Sequence, residues 1–195
     1  MKGFLRKIGF YLKSKQDIYL IDSDKEINFL IQSLKNEKIV GIDTEFDWRT
    51  TYFPKLSLIQ IVTKRHIFLV DCLRDLDLFF LKNILENNKI VIFHSSRSDS
   101  TVLSTNLDIK IKKTFDIQIA EKALRGGNPK SYASIVRDYF SINLNKSETN
   151  SNWLKRPLSE EQLNYASNDV LFLLDIFEFQ KEELLKKKLY DQVLV

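Results

Sequence analysis

A single cysteine, Cys72, and two histidines, His66 and His94, are all the thiol and imidazole ligands in this 195-residue sequence. One cysteine excludes an internal disulfide and fits a reducing compartment. The same scarcity excludes a zinc site of Cys and His, so any metal here is held by carboxylates. Glycine and proline are also sparse, at 5 and 3 residues, which excludes a low-complexity linker. No apolar run approaches the roughly 18 residues that span a bilayer. The N-terminus is basic but lacks the continuous apolar core of a secretory leader. These absences lead us to expect a cytoplasmic protein with no membrane span.

What is present is an ordinary single-domain composition. It is 44% apolar and 12% aromatic, enough for a substantial core and against extensive disorder. The formal net charge is +4, yet Lys2, Arg6, Lys7, Lys13 and Lys15 crowd into residues 1–16 with no acid among them. That leaves 25 Lys and Arg against 26 Asp and Glu in the rest of the chain. The positive excess therefore belongs to a basic arm, residues 1–17. The body, residues 18–195, is near neutral, so charge marks no nucleic-acid face there. Phe4, Leu5, Ile8, Phe10, Tyr11 and Leu12 interleave with the basic residues of the arm. A segment touching phosphates or anionic lipid and a terminus docked by its aromatics both fit this pattern.

Along the body, Ile18 to Ile21 reads as a short strand. Asp22-Ser23-Asp24 then caps a helix carrying Ile27, Leu30, Ile31 and Leu34 at helical spacing. Strands are expected at Ile39–Phe46, Leu56–Val62 and His66–Asp71, joined by tight turns into an antiparallel meander. A helix over Leu76–Leu85 precedes Lys89–His94, an apolar run typical of a strand buried on both faces. A helix over Ser98–Leu107, a short strand at Thr114–Asp116 and helices over 117–125 and 131–140 follow. Next, Ser159 and Gln162 form a capping box, with Leu158 and Leu163 as its hydrophobic staple. Beyond it Leu163, Ala166, Val170, Leu173, Leu174 and Phe177 make one stripe along a single helix. A meander followed by alternating strands and helices predicts an α/β domain with a mixed sheet, and the ribonuclease H-like architecture is one candidate.

Within this frame the acids stand out. Side chains alternate along a strand, so Asp43 and Glu45 share one face of an otherwise apolar strand. A strand end open to water accommodates such a pair, and so does a cation between them; oxygen-only ligation would favour Mg²⁺ or Mn²⁺. Asp99 lies in the first turn of the helix after the buried strand, where the macrodipole favours an acid. Tyr165 and Asp169 are four residues apart on the late helix, on one side and beside its apolar stripe.

The order Asp43-Thr44-Glu45, then Asp99, then Tyr165 and Asp169 resembles the DEDD superfamily of 3′→5′ exonucleases, in its tyrosine variant. It looks most like the ribonuclease D family. The stretches 51–61, 116–120, 144–147, 153–159 and 165–170 are similar to that family as well. The resemblance implies a ribonuclease H-like mixed sheet flanked by helices. It also implies two divalent ions held by Asp43, Glu45, Asp99 and Asp169, with Tyr165 orienting the attacking water. The implied activity is removal of 5′-mononucleotides from single-stranded RNA 3′ ends; DNA trimming or non-catalytic nucleic-acid binding are alternatives. The implied substrate contacts are Thr44, Phe46, His94, Lys146 and Arg156. Trp153 is expected to pack behind the 155–159 turn, and Asp116 to cap a helix. Two departures from the family stand out: the helical accessory domains of ribonuclease D are not in this sequence, and Ser100 replaces an apolar residue. With a near-neutral body, short or single-stranded ends are the expected substrates. Oligomeric state is not specified.

Overall fold

The computed structural model describes residues 7–8, 16–49, 52–87, 89–145 and 147–195. Seven strands form one mixed sheet: β1 (Lys7–Ile8), β2 (Asp17–Ile21), β3 (Ile39–Asp47), β4 (Lys55–Val62), β5 (His66–Asp71), β6 (Ile90–Phe93) and β7 (Thr114–Asp116). Their order across the sheet is β1-β2-β5-β4-β3-β6-β7. The expected meander is present, with β3–β4 and β4–β5 antiparallel, while β6 and β7 add in parallel beside β3. Of the basic arm, Lys7 and Ile8 pair antiparallel with Tyr19 and Ile18. Most of the arm lies outside the described residues.

The period of two along each strand divides the core into two halves. Val40, Ile42, Ile59, Ile61, Phe68, Val70, Val91 and Phe93 face one way. There they meet α1 (Asp24–Lys35), α2 (Phe79–Glu86) and α3 (Arg97–Leu107). Leu58, Val62, Ile67, Leu69, Ile92 and Phe115 face the other way. There they meet α4 (Ile117–Arg125), α5 (Tyr132–Phe140), α6 (Glu160–Leu171), α7 (Leu173–Lys186) and the short α8 (Tyr190–Val193). The sheet is thus covered on both faces, which explains its nearly unbroken apolar central strands.

Capping decides where the helices begin. Glu26 takes the Ser23 amide at 3.1 Å, and Ser159 and Gln162 exchange bonds of 3.0 and 3.2 Å. Asp116 accepts the Gln118 amide at the start of α4, so it is the helix cap expected of it. Two differences from the sequence reading exceed one residue. Helix α2 starts at Phe79 rather than Leu76, because Asp77 accepts the Phe79 amide at 3.0 Å and ends the loop there. The single late helix is in fact two, α6 and α7, divided at Phe172. The Phe172 amide bonds the Tyr132 hydroxyl at 3.0 Å, so a buried side chain supplies an acceptor at the break.

Candidate active site

The site forms where α6 and α7 cross the central strand β3. Gly41 shares a face with Asp43 and Glu45, and a Cβ there would lie 2.6 Å from Val62 Cγ1 and 3.0 Å from Leu173 Cβ. Only a glycine lets the first turn of α7 lie against the sheet at that point. The preceding turn, at the end of α6, brings Asp169 over the strand acids. One carboxylate oxygen from each of Asp43, Glu45 and Asp169 lies within 4.8 Å of the others. Asp99 arrives from α3, on the other side of the sheet, and its Oδ1 accepts the Thr44 hydroxyl at 2.6 Å. The four acids therefore come from β3, α3 and α6, and meet at the edge of the core.

Their electrostatics are unfavourable without a cation. Burial is the largest cause in each case, and it pushes Glu45 up to about 9, Asp169 to about 7 and Asp99 to about 6. Asp43 is raised well above the usual carboxylate range by burial and then by Asp99, Asp169 and Glu45 in turn. Among the described residues, no Lys, Arg or His forms an ion pair with any of the four. Carboxylate oxygens without a cationic partner, converging in a cleft, are the donor set of a hard divalent ion. The two-metal requirement of DEDD exonucleases fits this cluster, and Asp43, Glu45 and Asp169 could hold such ions directly.

Two cavities open on the acids. A chamber of about 170 Å³ is lined by Asp43, His94, Tyr132, Tyr165 and Asp169. A groove of about 390 Å³ runs past Asp43, Glu45 and Asp169 between the end of β3 and the 149–153 loop. Tyr165 lines both. Its hydroxyl lies 3.2 Å from Thr149 Oγ1, and burial followed by the charge of Asp169 pushes the phenol far above its ordinary value. Tyr165 consequently keeps its proton at neutral pH.

The expected substrate contacts fare unevenly. Arg156 is not a free phosphate contact. Its Nε and Nη2 clasp Asp71 at 2.7 Å each, and its remaining donors go to Ser57 and to the Trp153 and Lys155 carbonyls. With its donors used inside the protein, Arg156 ties the 153–157 turn to β4 and β5. Thr44 is buried and its hydroxyl donates to Asp99 on the α3 side, while the residue also lines the groove. His94 does reach the chamber, but its Nε2 is 3.0 Å from the Lys130 carbonyl and burial lowers its pKa. Phe46 lines the groove, in edge-to-face contact with Trp48. Trp153 is buried against Tyr165, with ring centroids 5.9 Å apart. Lys146 lies outside the described residues.

Three residues around the acids escaped the sequence reading. Gln60 pairs with Asp43 across β3 and β4, and its Nε2 lies 3.5 Å from Glu45 Oε1. Tyr132 walls the chamber and anchors the α6–α7 break. Trp48 lines the groove while remaining 53% exposed. Gln60 lay in the family-like stretch 51–61 and Trp48 stands three residues after Glu45, whereas nothing in the sequence marked Tyr132.

Known proteins match this arrangement. Ribonuclease D of Haemophilus influenzae is 36% identical over 153 residues, 78% of this chain and 38% of that protein. Ribonuclease D of Escherichia coli is 36% identical over 160 residues, covering 80% of this chain and 42% of the relative. The chain thus spans less than half the length of these curated relatives. The crystal structure of Escherichia coli RNase D, an exoribonuclease involved in structured RNA processing, superposes with a TM-score of 0.81. That match has 32% identity and covers 88% of this chain and 46% of the other. The catalytic core of RRP6 from Trypanosoma brucei gives a TM-score of 0.85 at 27% identity, covering 96% of this chain and 52% of that one. The fold is therefore the expected mixed-sheet DEDD exonuclease fold. A family model described as 3′-5′ exonuclease matches residues 18–185, a span that takes in all four acids, and the chain belongs to that family.

Proposed function

We propose that residues 18–195 form the catalytic domain of a divalent-metal-dependent 3′→5′ exoribonuclease that releases 5′-mononucleotides from single-stranded RNA ends. The observation carrying this reading is the convergence of Asp43, Glu45 and Asp169 within 4.8 Å, with Asp99 beside them and, among the described residues, no cationic side chain paired with them. The identity with ribonuclease D sequences supports RNA as the substrate. Among the described residues no helix is long and apolar enough to cross a membrane. We assign the chain to the cytoplasm on the scarcity of cysteine, and residues 1–17 to a basic arm of which Lys7, Ile8 and Asp17 join the edge of the catalytic domain's sheet.

In the proposed reaction, water attacks the terminal phosphorus in line, forming one P–O bond as the bond to the leaving 3′-oxygen breaks. The products are a 5′-mononucleotide and a chain with a new 3′-hydroxyl. Divalent ions, when bound, would supply charge neutralisation at the phosphoryl group and a water of lowered pKa. Asp43, Glu45 and Asp169 would hold them, and Asp99, oriented by Thr44, completes the donor set. Tyr165 acts as a hydrogen-bonding group that orients the attacking water, since its raised pKa keeps the phenol neutral. His94 and Tyr132 close the inner end of the site. Arg156 acts through packing: its clasp on Asp71 supports the turn that carries Trp153 against Tyr165.

A 5′-labelled single-stranded RNA assayed with Mn²⁺, with Mg²⁺ and with EDTA tests the proposal directly. We expect a ladder that shrinks from the 3′ end, absent in EDTA and absent with Asp43→Ala. Folded protein that yields no ladder under either metal would overturn it.

A further inference from the structure

Trp48 is large, apolar and 53% exposed, yet it lies on a wall of the groove that contains the acids. It follows Asp47, the last residue of β3, and its ring meets Phe46 edge to face, with centroids 5.4 Å apart and planes at 89°. That contact braces the indole and leaves it open to the groove. The neighbouring Arg49 is folded back onto Asp47, through Nε to Oδ2 at 2.7 Å and its backbone amide to Oδ1 at 2.8 Å. The charge beside Trp48 is thereby internally paired. What the wall offers a ligand is an aromatic surface.

The other wall makes a second, independent point. Trp153 is only 3% exposed, and its Nε1–H is buried with no acceptor among the described residues. Its ring lines the groove beside Tyr165, so this wall is closed and fixed in place. Thr149, Asn150 and Ser151 add small polar groups to the same wall. The groove, about 390 Å³, is of the order of one nucleotide and is continuous with the carboxylates. An aromatic wall, a polar wall and acids at one end suit a nucleotide whose base stacks and whose sugar and phosphate face the polar groups.

Building on the exonuclease reading, we propose that Trp48 is the stacking platform for the base of the 3′-terminal nucleotide. It is a binding element that accepts any base, because every base has a π-face and no hydrogen-bonding group of Trp48 is needed to read an edge.

The test compares wild type, Trp48→Ala, Trp48→Phe and Tyr52→Ala on two short RNAs, one with a normal 3′-terminal base and one with an abasic terminal residue. We expect Trp48→Ala to raise KM on the normal RNA by roughly 5- to 100-fold, the scale of one base–aromatic stack. Trp48→Phe recovers much of that loss, and Tyr52→Ala, at a 92% exposed position that does not line the groove, changes little. On the abasic RNA, wild type and Trp48→Ala should have the same KM, because the partner of the stack is gone. Quenching of tryptophan fluorescence by the normal RNA in EDTA supplies a readout that needs no cleavage, and it should be reduced in Trp48→Ala. If Trp48→Ala cleaves the normal RNA with wild-type KM, or remains as sensitive to the missing base as wild type, the stacking assignment fails and the nuclease reading stands. If wild type cleaves nothing but its fluorescence is quenched through Trp48, the nuclease reading fails and stacking stands.

Discussion

Replacing Glu45 by Gln should stabilise the metal-free protein while destroying its activity. The folded carboxyl titrates at about 9 and the unfolded one near 4.5. A group whose folded pKa is raised contributes stability fully below its unfolded value, and loses it as pH rises towards the folded value. At pH 7 the native state retains a proton that the unfolded chain releases. With 1.36 kcal/mol per unit, the 2.5 units between 4.5 and 7 amount to about 3 kcal/mol. Glu45 is only half-buried, and solvent in the cleft screens part of this. The net gain for Glu45→Gln, which is neutral at every pH, is then on the order of 1–3 kcal/mol. For a chain of this size each kcal/mol moves Tm by roughly 2–4 °C. Calorimetry in EDTA should therefore show Glu45→Gln melting on the order of 5 °C higher at pH 7, with the difference closing at pH 4, where wild type is protonated too. Saturating Mn²⁺ should reverse the order, since wild type then gains the binding free energy. No gain at pH 7, or an equal gain at pH 4, would refute the electrostatic account.

Other residues give independent tests. Gly41→Ala places a Cβ 2.6 Å from Val62 Cγ1 and should cost roughly 1–3 kcal/mol, with weaker Mn²⁺ binding as α7 is displaced, read by thermal melting and titration. Arg156→Ala leaves the buried Asp71 without its bidentate partner and should cost roughly 3–5 kcal/mol in denaturant unfolding. Its salt dependence of RNA binding should match wild type, since Arg156 holds no phosphate; a shallower slope would return Arg156 to the substrate contacts. Tyr165→Phe removes the water-orienting hydroxyl and should lower kcat by roughly 10²-fold while Mn²⁺ affinity measured by calorimetry is unchanged.

The elements were legible wherever their causes are local. Alternation along β3 and β4, the Ser159–Gln162 box and the Asp116 cap all act within a few residues. Spacing alone put Asp43 and Glu45 on one strand face and Tyr165 with Asp169 on one helix side, while their joint reading with Asp99 as a site came from the family resemblance. The expectation of one continuous late helix failed because its stripe passes through Phe172 without interruption. The break there depends on Tyr132, 40 residues earlier. Assigning Arg156 to phosphate failed for a similar reason: an arginine in a polar loop looks free until Asp71, 85 residues away, is seen to hold it.

By itself the sequence determined the ligand chemistry available here: carboxylates with almost no Cys or His, ordered on strand and helix by periods of two and about four residues. Only the tertiary structure decided which groups are used and which are spent. It brought Asp99 to Thr44 across 55 residues, set α7 against Gly41, consumed the donors of Arg156, and left Trp48 open beside the acids. The physical reason is one of range. Periodicity and capping are nearest-neighbour effects written into a short window. The pairing of a buried charge, and the exposure of an aromatic face, depend on groups that only chain folding brings within a few ångströms.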